Sequence, residues 1–399
     1  MRSTAGSPLV PHPDWPKQSL TFGLFFFAYY GYVGVFSPFA SLFFAQRGMS
    51  ATQIGVLMSL MQIMRIFGPN LWGWIADHLH ARVTVLRVTA SAATLLFVGM
   101  FFVTNFWTFF LVMALVNLFT GAQGPLSEAL MLTEMRGDLT HYGKLRLWGS
   151  IGFIFAVTAA GELLDRFGVG LMPMIAFALL SMLVMVSLRL HETDHVHSTQ
   201  ALLSMRSILR QREVIAFFTS TCLLVAAHAA VYVFYSLYLA QHGYSKSLIG
   251  VMWSIGVVAE IGFFYFQAPI FRRFGVRRLM MASLLLAVVR FIMIGLCAES
   301  LLGLVVAQLL HAASFAVHHS SSVAMMQRWF AGRLQARGQA LYTSISYGVG
   351  GSVGGLLLSV IWDKFGAQSV YFAASALCGF AVIAAALSLR WQTLNSRKQ

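Results

Sequence analysis

Apolar runs of about twenty residues follow one another along almost the whole chain, broken by short polar stretches; each is long enough to cross a hydrocarbon core as a helix. The pattern predicts twelve spans, over residues 18–44, 52–76, 83–104, 106–133, 145–164, 169–189, 213–240, 247–270, 278–298, 300–327, 337–361 and 368–390. The runs lack the short alternating segments of barrel strands, so an all-α membrane protein is expected. Segment 190–212 is the longest polar interruption and parts two sets of six spans. The predicted organisation is therefore an N-terminal six-helix bundle over 1–189, a cytoplasmic central loop over 190–212, and a C-terminal six-helix bundle over 213–399. Each bundle carries a short cytoplasmic tail.

The two halves echo each other. Residues 45–59, AQRGMSATQIGVLMS, return as AQHGYSKSLIGVMWS at 240–254, an offset of 195 with eight of fifteen positions identical. Asp165-Arg166-Phe167-Gly168 returns as Asp363-Lys364-Phe365-Gly366, an offset of 198. A chain written twice in apolar residues implies two pseudo-symmetric bundles that enclose a central site and rock about it, the build of a transporter.

Composition agrees with burial in lipid: hydrophobic residues make up 58% of the chain and charged residues 10%. The net charge of +14 is spread over membrane loops and so does not indicate nucleic acid. With both tails inside, 21 of the 27 Lys and Arg residues fall on the cytoplasmic side. Arg47, Arg166, Lys246 and Lys364 fall outside, and Arg65 and Arg290 lie within spans. This asymmetry orients the chain, with both termini cytoplasmic. Cys222, Cys297 and Cys378 sit inside apolar runs, which suggests neither a disulfide framework nor a metal site. The first sixteen residues are polar and Pro-rich and read as a tail.

A few ionisable residues lie at membrane depth, where they normally face a partner or a watery cavity. They are Arg65, Glu128, Glu260, Arg290 and His311, with Arg146 near the cytoplasmic start of its span. They could be structural ion pairs; as a set they read better as a site. Arg65 and Glu260 are repeat equivalents at the 195 offset, expected at matching depths across a central cavity. His311, Ser314, His318 and Ser322 recur at helical spacing and are expected to line that cavity, with His319 turned elsewhere. His228 is open to either a core or a functional reading. Gly348, Gly350, Gly351, Gly354 and Gly355 predict close helix packing. No nucleophile–base pair or metal cluster is apparent, which argues against an enzyme.

Several stretches carry a resemblance that covers almost the whole chain. Gly73, Asp77 and Arg82 look like the loop signature of the major facilitator superfamily, with His78 and Ala81 where basic residues are usual. Phe22-Gly23-Leu24-Phe25-Phe26-Phe27 through Ser37-Pro38-Phe39 is similar to the first span of lactose permease. Tyr142-Gly143-Lys144-Leu145-Arg146-Leu147-Trp148-Gly149, Gly256-Val257-Val258-Ala259-Glu260 and Arg337-Gly338-Gln339-Ala340-Leu341-Tyr342 resemble the phenylpropionate permease branch of the same group. The resemblance implies that Glu128 and Arg146 match the acid–arginine pair that binds sugar in lactose permease. It implies that Glu260, Arg290 and His311 belong to a substrate and proton network, with Arg290 tied to Glu260. Ser314 stands where lactose permease has its proton-carrying glutamate, and Phe153 where it has the tryptophan that stacks on sugar.

The expected function is proton-coupled symport of a small organic acid, an aromatic carboxylate, by alternating access across a bacterial inner membrane. A neutral sugar or nucleoside is the alternative substrate. Arg65, Glu128, Arg146, Phe153, Tyr29 and His311 are the expected substrate contacts, with rings from among Phe26, Tyr30, Tyr32, Trp148 and Tyr232. Glu260, His311 and Arg290 are expected in proton coupling, and Asp77 and Arg82 in gating. The expected partners are a small-molecule substrate, protons and the bilayer. No cofactor is expected beyond the proton gradient as energy source, and the chain is expected to be monomeric.

Overall fold

The computed structural model describes residues 15–135, 142–192 and 205–396. Most of the N-terminal tail, Arg136, the middle of the 190–212 loop, Arg397 and Lys398 lie outside the described residues. Among the described residues all regular structure is helical. Within them, twelve helices are long and apolar enough to cross a membrane: α1 (Gln18–Gln46), α2 (Ala51–Leu79), α3 (Arg82–Phe101), α4 (Phe106–Glu134), α5 (Tyr142–Phe167), α6 (Val169–Ser187), α7 (Arg212–Gln241), α8 (Lys246–Phe274), α9 (Val276–Leu296), α10 (Leu301–Trp329), α11 (Arg337–Phe365) and α12 (Ala367–Leu394). They form two six-helix bundles. Several helices run a turn past the predicted apolar limits, as at Asp77-His78-Leu79 and Arg272-Arg273-Phe274. Backbone hydrogen bonding continues where side chains already suit headgroups or water.

The sequence echoes mark helix starts and stops. Ser50 accepts a hydrogen bond from Gln53 N at 3.2 Å and opens α2; Ser245 accepts from Leu248 N at 3.2 Å and opens α8. Gly168 and Gly366 end α5 and α11 at φ of 86° and 87°, a region that favours glycine.

The same motifs then join the two bundles crosswise. Asp165, at the end of α5, accepts from Lys246 N at 2.8 Å and Ser247 N at 2.7 Å, the first turn of α8. Asp363, at the end of α11, accepts from Ala51 N at 3.2 Å and Thr52 N at 2.8 Å, the first turn of α2. Each carboxylate thus satisfies helix-terminal N–H groups and sits at the positive end of a helix dipole. Beneath these clamps the backbones approach closely. A Cβ on Gly161 would meet the Lys246 carbonyl, and one on Gly55 would meet Ser359.

The glycines of α11 behave as their spacing predicts. Gly350 faces the Cys222 carbonyl of α7, Gly354 faces the Ala226 backbone, and Gly355 faces Ser59 of α2. Gly354→Leu is therefore expected to push α11 from α7 and destabilise the protein by about 1–3 kcal/mol, as overpacking does. Thermal unfolding in detergent checks this; an unchanged midpoint would contradict the packing account.

Two helices carry turns that apolar patterning does not reveal. α10 is π-helical over Ala312–Val317, and α11 over Thr343–Gly350. Both segments lie beside the central cavity, and such wide turns rotate the register of everything after them.

Candidate functional site

A cavity of about 270 Å³ lies between the two bundles, midway along the helices. Its α2 wall is Met58, Ser59, Met61, Gln62 and Arg65; its α8 wall is Trp253, Gly256, Val257 and Glu260. Four of the five α2 positions, all but Ser59, have their 195-offset equivalents on the α8 wall, so the repeat relates the two walls. The 198 offset relates part of the α5 and α11 walls: Gly149 corresponds to Tyr347, and Phe153 to Gly351, all four lining the cavity, whereas Arg146 and Ser150 line it from α5 alone. Arg65 and Glu260, equivalent in sequence, both reach it, one from each bundle.

The charged groups fall into three arrangements. Arg146 Nε lies 3.1 Å from Glu128 Oε1, and its guanidinium covers the Tyr30 ring at 4.1 Å. Both members of this pair are about one-third exposed (34% and 33%). A pair this open is held weakly enough for a polar ligand to compete with it.

On the other wall, His311 Nε2 lies 2.7 Å from Glu260 Oε1, and both groups are more enclosed. Glu260 therefore joins His311, and the expected tie to Arg290 is not formed. Arg290 also borders the cavity but is fully buried, and it is held differently. Its Nε donates to the Ala307 carbonyl at 3.0 Å, and Nη1 reaches Ser314 Oγ at 3.4 Å and His228 Nε2 at 3.5 Å. Its Nη2 has no hydrogen-bond partner among the described residues. His228 thus belongs to the support of Arg290.

Arg65 is the third arrangement. It lines the cavity, and among the described residues it has neither an ion pair nor a hydrogen bond. Gln62, one turn away on the same face, also carries an Oε1 without a partner.

Three sequence expectations need correction. The polar stripe of α10 does not line the cavity as a unit. His311 does, but Ser314, His318 and Ser322 are buried, and Phe315 takes the wall position. The π-turn over Ala312–Val317 breaks the regular spacing that linked them. Tyr29 does not line the cavity either. It turns toward Gly124 of α4, while Tyr30, Val33 and Ser37 form the cavity face of α1. Of the other candidate rings, Tyr30, Phe153 and Tyr232 face the cavity; Phe26 and Tyr32 are core, and Trp148 is outside the lining. Sequence reasoning missed Trp253, Phe315 and Tyr347. The repeat pairs the first and last with Met58 and Gly149, which also line the cavity, but no sequence signal marked those two positions as lining.

Asp77 and Arg82 lie at the end of α2 and the start of α3, 3.6 Å apart, remote from the clamps. Arg82 also donates to Thr133 Oγ1 of α4 at 3.1 Å. This corner is held within one bundle by these contacts.

Comparison with known proteins follows the same lines. A protein of Escherichia coli (strain K12) described as a probable 3-phenylpropionic acid transporter is 30% identical over 82% of this chain and 86% of its own length. The maltose permease of Geobacillus stearothermophilus is 26% identical over 92% of this chain and 94% of its own. The crystal structure of the nucleoside transporter NupG superposes with a TM-score of 0.81 at 19% identity, covering 94% of this chain and 98% of that one. That likeness establishes the fold alone. Residues 20–373 match the MFS_1 like family. Twelve spans in two echoing bundles, a charged cavity between them and this match over most of its length place the chain in the MFS_1-like family of the major facilitator superfamily.

Proposed function

We propose that this protein is a proton-coupled symporter that imports a small aromatic carboxylate by alternating access across a bacterial inner membrane. The observation that carries the reading is Arg65, an unpaired cation in a cavity whose other accessible charges are already paired. A guanidinium fork matches a carboxylate with two parallel charge-assisted bonds. Around it stand rings from both bundles, Tyr30, Phe153 and Tyr232 among them, surfaces on which a flat ligand stacks. The volume suits one small ring rather than a larger ligand. Glu260, hydrogen-bonded to His311, is the proposed proton carrier. Similarity to the probable 3-phenylpropionic acid transporter supports the same substrate class.

The alternative is a neutral nucleoside or sugar. The nucleoside permease NupG of Escherichia coli, 23% identical over 354 residues, and the maltose permease support it. Arg65 argues against it, because a neutral ligand would leave that charge without a counterion. Thermal-shift binding to the purified protein separates the two. Aromatic carboxylates should raise the unfolding temperature while nucleosides and maltose leave it unchanged; the reverse pattern would overturn the substrate assignment.

In this account the Asp165 and Asp363 clamps close the external side, and Asp77 with Arg82 latches the cytoplasmic side in the opposite state. Both termini are cytoplasmic, and the working unit is one chain. Asp165→Asn combined with Asp363→Asn should raise labelling of single cysteines placed in the cavity from the external side, and Asp77→Asn should lower it by biasing the protein inward-open. Equal labelling in all three proteins would contradict this gating scheme.

A further inference from the structure

We propose that Trp253 is the platform on which the ligand's ring rests, fixed at its working angle by Ser236; this rests on the aromatic-acid reading above. Trp253 lines the cavity from α8. Its indole Nε1 donates to Ser236 Oγ of α7 at 3.0 Å, and Ser236 is itself buried. The ring is wedged from three sides. Tyr232 stacks at 6.4 Å and 26°, Tyr235 meets it edge-on at 6.1 Å and 77°, and Phe153 of the other bundle leans on it at 6.4 Å and 52°. An indole with its N–H satisfied and its tilt set by three rings is preorganised. It presents the rest of its surface to a ligand without losing rotamer freedom on binding.

The repeat gives this position its meaning. The equivalent of Trp253 in the first bundle is Met58, which also lines the cavity. The cavity is therefore asymmetric at a matched pair of positions. Rings come from both bundles, Tyr30 and Phe153 from the first and Tyr232, Trp253 and Phe315 from the second, but the arginines with exposed surface, Arg65 and Arg146, come from the first, since Arg290 of the second is fully buried. A ligand with a carboxylate at one end and a ring at the other then has one favoured direction, carboxylate toward α2 and α5, ring toward α7, α8 and α10. The ring wall is also the wall of the proposed proton carrier, since Phe315 stacks on His311 at 5.2 Å and 8°. Occupying the ring site thus places ligand against the helix that carries the partner of Glu260.

Two probes of nearly equal shape test the platform: 3-phenylpropionate and its saturated counterpart 3-cyclohexylpropionate, titrated calorimetrically into the purified full-length protein. The wild type should bind the aromatic acid about fivefold more tightly, the scale of one good ring stack. Trp253→Leu should bring that preference to within about twofold, Trp253→Phe should keep part of it, and Ser236→Ala should fall between. Size-exclusion profiles identify variants that fail to fold; the Trp253→Phe and Ser236→Ala proteins keep the test open if Trp253→Leu does not fold. A preference that survives in Trp253→Leu, or equal weakening of both acids in all variants, would overturn the platform. If the wild type binds both acids and prefers neither, the platform falls while the carboxylate reading stands. If it binds neither acid, the aromatic-acid reading itself fails, and the platform with it.

Discussion

Glu260→Gln is expected to abolish uphill uptake while leaving substrate binding and exchange within about twofold of the wild type. The amide keeps the oxygen that accepts from His311 Nε2, now at 2.7 Å, so the contact between α8 and α10 survives. What is lost is the ability to take and release a proton. A carboxyl group in an enclosed cavity is well placed to couple the two events, because its charge is tolerated only while a partner faces it. In this site the partner is His311, and Arg290 is engaged elsewhere with Ala307, Ser314 and His228. Among the described residues, the His311 imidazole is therefore the ion-pairing partner of Glu260. A proton gradient of one pH unit supplies about 1.4 kcal/mol, or about tenfold accumulation per proton. Wild-type proteoliposomes should approach that ratio, and the Glu260→Gln protein should stop near equilibration. Full accumulation by the variant would transfer the carrier role to His311, the ionisable group hydrogen-bonded to Glu260.

Arg65→Gln should weaken uptake of an aromatic carboxylate by about tenfold to a hundredfold in apparent KM, the scale of a lost charge-assisted hydrogen bond. Arg65→Lys should fall between, because an ammonium keeps the charge but loses the planar fork. Removal leaves no orphaned protein group, since Arg65 has no partner among the described residues. The fold should therefore hold, and the loss should be confined to the ligand. Competition by the acid and by its amide gives the sharper readout. Wild-type protein should prefer the acid strongly, and Arg65→Gln should treat the two nearly alike. A variant that still separates acid from amide as the wild type does would place the carboxylate elsewhere, with Arg146 the next cation lining the cavity.

Much of this architecture was legible in the sequence because lipid leaves few options. A run of apolar residues with its backbone bonded internally can only be a helix, and short polar breaks can only be its ends. The duplication carried more still. Ser50 and Ser245, at the same place in the echo, cap α2 and α8 alike, and Arg65 and Glu260 reach the same cavity. The crosswise clamps were visible as the Asp165 and Asp363 echo, yet their bonding was not, since each aspartate caps a helix of the opposite half. Helical phase was the weakest reading. Tyr29 and Tyr30 differ by one step on α1 and face different neighbours. On α10 the π-turn replaced Ser314 by Phe315 at the wall, which no regular period anticipates. The pairing of Glu260 with His311 in place of Arg290 followed the same logic. Side chains near one another in a network choose partners by geometry that spacing does not record.

The most direct test of the central claim is uptake of radiolabelled 3-phenylpropionate by proteoliposomes of the purified protein under an imposed inward proton gradient. Substrate should accumulate above the external concentration, a protonophore should collapse that accumulation, and substrate addition should make the external medium more alkaline. Equilibration that ignores the gradient, or accumulation of nucleosides or maltose with none of the aromatic acid, would contradict the claim.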